Sequence, residues 1–263
     1  MVMEGENHGA EASINAWSVH VEPFESSTAS VYVRKKDTSE FVNSGWIISQ
    51  NIMGDNKTRF YALWEADGDG CYNLVCPGFV QISHRFGFGA IITPLSTYDG
   101  VQTWITLRIS MVGSHSLSTI LFLICAYHVK LFACLLEQDP ADGHWWLVLL
   151  GESVGYWPSS LFKKMVVSAD LIEWSGEVVN TRPGGQHTST QMGSGHFSNE
   201  GFKKAAFFDD CVFLVEHDDA RKPSNAIVSA TSPKCYDVSE TSKGRDRGLF
   251  FYYGGPGGPS CDN

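Results

Sequence analysis

The sequence predicts an all-β fold, an antiparallel sandwich of two sheets, on three observations. Short runs of about five to eight residues rich in β-branched and aromatic side chains recur from one end of the chain to the other, the length of ordinary strands. Glycine, proline, asparagine and aspartate punctuate them, with 26 glycines among 263 residues, so the runs are joined by tight turns. Apart from one apolar segment, no long stretch carries the 3.6-residue periodicity of an amphipathic helix. Many short strands with frequent turns make a sandwich or barrel.

Taken in order, residues 1–12 read as a polar tail, and a single β domain is expected over 13–258, followed by a tail at 259–263. Strands are expected at Ala29–Arg34, Gly45–Ser49, Arg59–Trp64, Gly78–Ser83 and Thr103–Ile109. Further strands follow at Trp145–Leu150, Lys164–Ser168, Glu173–Val179, Phe207–Glu216 and Leu249–Tyr253. The exception is the run LSTILFLICAYHVKLFACLL at 117–136, long enough to cross a bilayer but carrying His128 and Lys130 in its second half. Its flanks, TWITLRI and a turn sequence leading into His144-Trp145-Trp146-Leu147, read as the two arms of one hairpin. Residues 110–135 are therefore expected to be an insertion without a role in the fold, such as translated intron sequence, in preference to a membrane helix.

The 19 basic and 29 acidic residues give a net charge of −10, which excludes a polyanion-binding surface and with it nucleic acid. Met1-Val2-Met3-Glu4-Gly5-Glu6 has neither a basic start nor an apolar stretch, so no signal peptide is expected. Cys71 and Cys76 flank a four-residue loop and Cys235 and Cys261 bracket the C-terminal segment, a spacing suited to disulfides and hence to an oxidising compartment. Asn56-Lys57-Thr58 is a glycosylation sequon consistent with one. Cys211, with no obvious mate, is expected as a buried thiol. No histidine or cysteine set has metal-ligand spacing, and neither a metal nor a cofactor is expected.

Several motifs resolve to structure. Gly151-Glu152-Ser153-Val154-Gly155 matches the nucleophile elbow GxSxG, but Tyr156-Trp157-Pro158 follows where a helix should open. Asp67-Gly68-Asp69-Gly70 resembles the start of a calcium loop, yet Gly78 stands where the bidentate glutamate belongs, so a tight turn is expected. The segment Ile172–Val179 is more informative. On a strand Glu173, Ser175 and Glu177 share one face and Trp174, Gly176 and Val178 the other. A carboxylate set among aromatics has a raised pKa and suits proton transfer. The two glutamates lie roughly 13 Å apart along the strand, too far to act on one bond, so a partner must come from another strand.

Six ordered blocks together resemble the neprosin family, plant glutamic endopeptidases that cleave at proline. They are GCYNLVCPGFVQ (70–81), DPADGHWWL (139–147), VGYWPSSLF (154–162), IEWSGEV (172–178), TQMGSGHF with EGFKKAA (190–206), and FFYYGGPGG (250–258). The resemblance implies a two-sheet β-sandwich, a polypeptide substrate containing proline, secretion, and a pair of catalytic glutamates. It places one of these on Glu177. The other belongs to a motif E-A-G-W whose counterpart here is Asn43-Ser44-Gly45-Trp46, so Asn43 stands where the second carboxylate is expected. Glu40, three residues away, falls on the opposite face and does not substitute for it. The resemblance further implies the disulfides Cys71–Cys76 and Cys235–Cys261, and a substrate cleft lined by Trp46, Trp157 and Trp174.

Two carboxylates hydrolyse a peptide by one taking a proton from water while the other donates one. An amide polarises a carbonyl but exchanges no proton at roughly pH 3–7. The chain is thus expected to be a divergent, impaired, monomeric member of the family. The alternative is a catalytically inactive sandwich that binds proline-rich or cell-wall polypeptides.

Overall fold

The computed structural model describes residues 1–111, 143–246 and 248–261, and these form a β-sandwich of two antiparallel sheets. The strands are β1 (Val2–Asn7), β2 (Gly9–Asn15), β3 (Ser26–Arg34), β4 (Phe41–Ser49), β5 (Asp55–Ala66), β6 (Asp69–Tyr72), β7 (Val80–Gln81) and β8 (Trp104–Ser110). Then come β9 (Trp145–Leu149), β10 (Glu152–Trp157), β11 (Ala169–Val179), β12 (Ala206–Leu214), β13 (Ala220–Arg221), β14 (Asp237–Val238), β15 (Ser242–Lys243) and β16 (Leu249–Gly254). One sheet runs β1-β11-β3-β4-β5-β6. The other runs β14-β16-β12-β2-β8-β9-β10-β7, with β13 on β12 and β15 on β16.

The core lies between the sheets and is built by alternation. Along β4, Val42, Ser44, Trp46 and Ile48 face inward, as do Val31 and Val33 of β3 and Ile172 and Trp174 of β11. Ala10, Ala12 and Ile14 of β2 and Leu107 and Ile109 of β8 meet them from the other sheet. Two indoles bind the layers together: Trp46 Nε1 donates to the carbonyl of Asn15 at 3.0 Å, and Trp174 Nε1 to that of Glu11 at 3.4 Å. Trp46, Trp157 and Trp174 are therefore buried in the core at 0% exposure, and Trp174 also borders a groove beside β11. A strand that turns Glu177 to one face necessarily turns Trp174 to the other.

Two expected features are corrected. Residues 1–12 are not a tail: β1 pairs with β11, and β2 sits between β12 and β8 with Met3, Ala10 and Ala12 buried. The segment looked polar because β1 exposes Glu4 and Glu6 and β2 fills a tight interior with alanines. At Gly9 a Cβ would lie 2.0 Å from the carbonyl oxygen of Ile109, so only glycine fits. Lys164–Ser168 is not a strand either. The buried Glu40 carboxylate accepts three consecutive amides there, from Lys163, Lys164 and Met165, each at 2.8 Å, and holds the chain in a bend.

Tight turns account for the two motif look-alikes. Asp67 and Gly68, at φ 56° and 88°, turn β5 into β6, and Leu150 and Gly151, at 51° and 81°, turn β9 into β10. Ser153 is thus a ladder residue opposite Val148, with no helix after it. Cys71–Cys76 and Cys235–Cys261 are disulfides, the latter tying 259–261 to the body, and Cys211 is a buried free thiol. No helix among the described residues is long and apolar enough to cross a membrane.

Ser110 ends β8 as a buried residue of the sandwich, while the rest of the expected insertion, apart from Met111, and the whole apolar run at 117–136 lie outside the described residues. The hairpin arms are described, and β8 pairs with β9 from Ser110↔Trp146 to Leu107↔Leu149. The arms therefore leave the ladder next to each other at Ser110 and Trp146. Replacing 112–142 by a two-residue turn should leave a cooperative melt within a few degrees of the parent, because loop closure grows only slowly with length. Circular dichroism melting curves of the two chains test this.

Candidate active site

The outer face of the six-stranded sheet is polar by the same alternation that makes its inner face apolar. Register places Glu173, Ser175 and Glu177 of β11 opposite Tyr32, Ser30 and Thr28 of β3, and these opposite Asn43, Gly45 and Ile47 of β4. Tyr61 on β5 and Tyr72 on β6 continue the surface, their rings 6.1 Å apart. Gly45 is required by packing: a Cβ there would sit 2.0 Å from the carbonyl oxygen of Ala29. The Asn-Ser-Gly-Trp motif thus has one residue for the site, one for close strand approach and one for the core.

Glu177 reaches over the sheet to Tyr32, whose hydroxyl donates to its Oε2 at 3.0 Å. Although the residue as a whole is exposed, its carboxylate sits among the phenols, and this burial raises its pKa. The Tyr32 hydrogen bond opposes the rise, Glu173 adds to it and Arg34 opposes it. Burial pushes the Tyr32 phenol well above its ordinary value, so Tyr32 remains a donor at any physiological pH. Glu173 is engaged by Arg34 at 3.3 Å.

Asn43 is fully buried. Its Nδ2 donates to Ser30 Oγ at 2.9 Å, while Oδ1 is buried without a partner. Glu177 and Asn43 therefore share a face but not a contact: Tyr32 stands directly opposite Asn43 and leans along the sheet to Glu177. Sequence reasoning missed Tyr32. The signal was present, since in Ser26–Arg34 every second residue is Ser, Thr, Ser, Tyr and Arg, the polar register that faces Glu177.

A second glutamate builds the rim. Glu25, buried just before β3, accepts the Thr181 amide at 3.0 Å and the hydroxyls of Thr181, Thr188 and Thr190. Burial would raise its pKa, but the hydrogen bonds outweigh burial and hold it below its ordinary value. This cradle fixes the segment 181–190 beside β11. Asn56 is exposed at the start of β5, while Thr58 of its sequon is buried and donates to the Trp17 carbonyl at 2.6 Å. The one grouping of metal-ligand types among the described residues, His187 with Cys235 and Cys261, has both cysteines in a disulfide.

The raised pKa of Glu177 makes a testable link between pH and stability. A carboxyl whose folded-state pKa lies above its unfolded value contributes stability that is complete in acid and lost as pH rises through the folded value. The melting temperature of Glu177→Gln minus that of the parent should therefore become more positive between about pH 4 and pH 7, modestly because groove water screens the carboxylate. Thermal melts across that range measure it.

Comparison with known proteins finds similarity in sequence and in structure. A family model described as Neprosin matches residues 23–116 and 126–256. A crystal structure of scytalido-glutamic peptidase with a peptide-based transition-state analogue is 11% identical, with 97% of this chain and 95% of that chain covered and a TM-score of 0.47.

Proposed function

The chain belongs to the neprosin family, and from that premise we propose that it is a glutamic-type endopeptidase domain that cuts polypeptides at proline, its turnover held down by Asn43. The observation that carries the reading is Glu177, a carboxyl group whose pKa is raised by burial and which is hydrogen-bonded by Tyr32 on the polar outer face of the sheet. Such a group takes a proton from an attacking water when ionised and returns it to the leaving amine. The Tyr32 hydroxyl orients it and is a donor for the oxyanion that forms on the substrate carbonyl.

On this reading turnover is low. Asn43 is a hydrogen-bond partner without a titratable proton, and the carboxylate nearest to Glu177 along β11, Glu173, is tied to Arg34. The orphaned Asn43 Oδ1 favours a second reading as well, a non-cleaving sandwich that binds proline-containing polypeptides on the same face. Two disulfides support residence in an oxidising compartment, as secretion would require.

Asn43→Glu should restore cleavage of a proline-containing peptide at acid pH, and adding Glu177→Gln should abolish the gain, because paired catalytic groups act as a unit. The parent should cleave at least about a hundredfold more slowly than Asn43→Glu, the usual scale of one general acid–base group. Chromatographic assay of the products decides it. Equal rates for parent and Asn43→Glu would refute the role given to Asn43, and a folded Asn43→Glu that never cleaves selects the binding reading.

A further inference from the structure

Three stretches distant in sequence meet beside the Glu25 cradle: 187–192, Cys235-Tyr236 and 255–261. Backbone bonds run from Gly258 N to the Thr188 carbonyl at 2.6 Å and from Met192 N to the Gly255 carbonyl at 3.0 Å. The Tyr236 hydroxyl donates to the Thr190 carbonyl at 2.7 Å, and the His187 and Tyr236 rings pack at 5.1 Å. The Cys235–Cys261 disulfide joins two of the stretches. It is thus one tie among several, and opening it leaves its sulfurs and the His187 ring held close together by hydrogen bonds that do not involve sulfur.

Those three side chains are a ligand set. A ring nitrogen of His187 and the sulfurs of Cys235 and Cys261 all lie within 4.8 Å of one another. In a tetrahedral zinc site neighbouring sulfur and nitrogen ligands stand roughly 3.5–3.8 Å apart, so the set needs only small shifts once the S–S bond is open. His187 Nδ1 meets the Thr188 carbonyl at 3.3 Å. A carbonyl only accepts, so Nδ1 carries the proton and Nε2 the lone pair, the arrangement behind most metal-bound imidazoles. Cys235 is buried, but Cys261 and His187 are only half-buried, which gives a reductant and an ion a way in. Cys71–Cys76 belongs to no such grouping among the described residues.

We propose that His187, Cys235 and Cys261 form a redox-gated site for a zinc-class divalent cation, closed while the disulfide is intact and opened by a dithiol. The dithiol gives two electrons and two protons to the S–S bond, leaves as its own disulfide, and yields two cysteine thiols. The cation then displaces both thiol protons to solvent and is held by two thiolates and the neutral imidazole, with water as fourth ligand and no change in its own oxidation state. Thr188 and Thr190, beside His187, are the threonines that donate to Glu25. The cation therefore takes over the tie on the rim when the covalent one is lost. None of this rests on the peptidase reading.

The test uses the full chain, reduced with dithiothreitol and freed of it by anaerobic gel filtration, with Co²⁺ as spectroscopic probe and Zn²⁺ as competitor. The reduced chain should bind a single Co²⁺ with a thiolate-to-cobalt charge-transfer band that Zn²⁺ bleaches, and the oxidised chain should show no band. His187→Ala and Cys235→Ser should each weaken binding at least about tenfold, since altering even a residue behind a ligand costs that much, whereas Cys71→Ser should not. Reduction should lower the melting temperature, and Zn²⁺ should recover most of the loss in the parent but not in His187→Ala. Equal uptake by oxidised and reduced chains, a spectrum without the thiolate band, or affinity indifferent to both His187→Ala and Cys235→Ser overturns the proposal. If the reduced chain unfolds, return of its native circular dichroism on adding Zn²⁺ in the parent but not in His187→Ala is the expected result, and return in both or in neither overturns it.

Discussion

Two indole hydrogen bonds set the frame on which everything else depends. Trp46 and Trp174 cross the sandwich from neighbouring regions of one sheet to carbonyls of a single strand, β2, of the other. Each can do so only if its strand presents that residue inward. Because side chains alternate, this fixes Asn43 and Gly45 on one strand, and Glu173, Ser175 and Glu177 on another, to the outer face. A one-residue slip of β11 would bury Glu177 and expose Trp174, exchanging a core indole for a buried charge. The polar face is thus inseparable from the packing of the core, and the tryptophans serve it by anchoring strands.

Much of this was legible in the sequence. The strands around Val31, Trp46, Phe60, Leu107 and Phe208 show up as β-branched and aromatic runs, and the alternation in Ile172–Val179 already separates Glu177 from Trp174. The two look-alike motifs were readable as turns from the residues that cannot follow a nucleophile or complete a calcium loop. What stayed hidden was long-range. The strands β1 and β2 hide behind glutamates and alanines whose burial depends on partners more than 90 residues away. The bend at 164–168 looks like a strand because Val166 and Val167 are β-branched, and only the distant Glu40 carboxylate reveals it as a loop. Tyr32 was missed for a similar reason: it is Glu177's neighbour only once β3 and β11 have paired.

The expectation that Trp46, Trp157 and Trp174 line a cleft touches two uses of aromatics: all three fill the core, and Trp174 also borders the groove beside β11. Tryptophans beside site motifs look like ligand-binding surfaces, but a sandwich this rich in strands needs large side chains to fill the gap of about 10 Å between its sheets. The donors on the outer face come instead from smaller and more polar residues, Thr28, Ser30, Tyr32 and Tyr61, which a search for aromatic clefts passes over.

The Glu25 cradle has a further consequence when set against Glu177. The two carboxyl groups are displaced in opposite directions, Glu25 downward by threonine hydroxyls and an amide, Glu177 upward by burial among phenols. Between their titrations lies an interval of mild acidity in which the rim glutamate is still ionised and the face glutamate is already neutral. In that interval the segment 181–190 stays clamped by Glu25 while the groove beside it carries one negative charge fewer. In a protein with a net charge of −10, acidification thereby lessens the repulsion between this groove and a negative charge while the Glu25 clamp is still ionised.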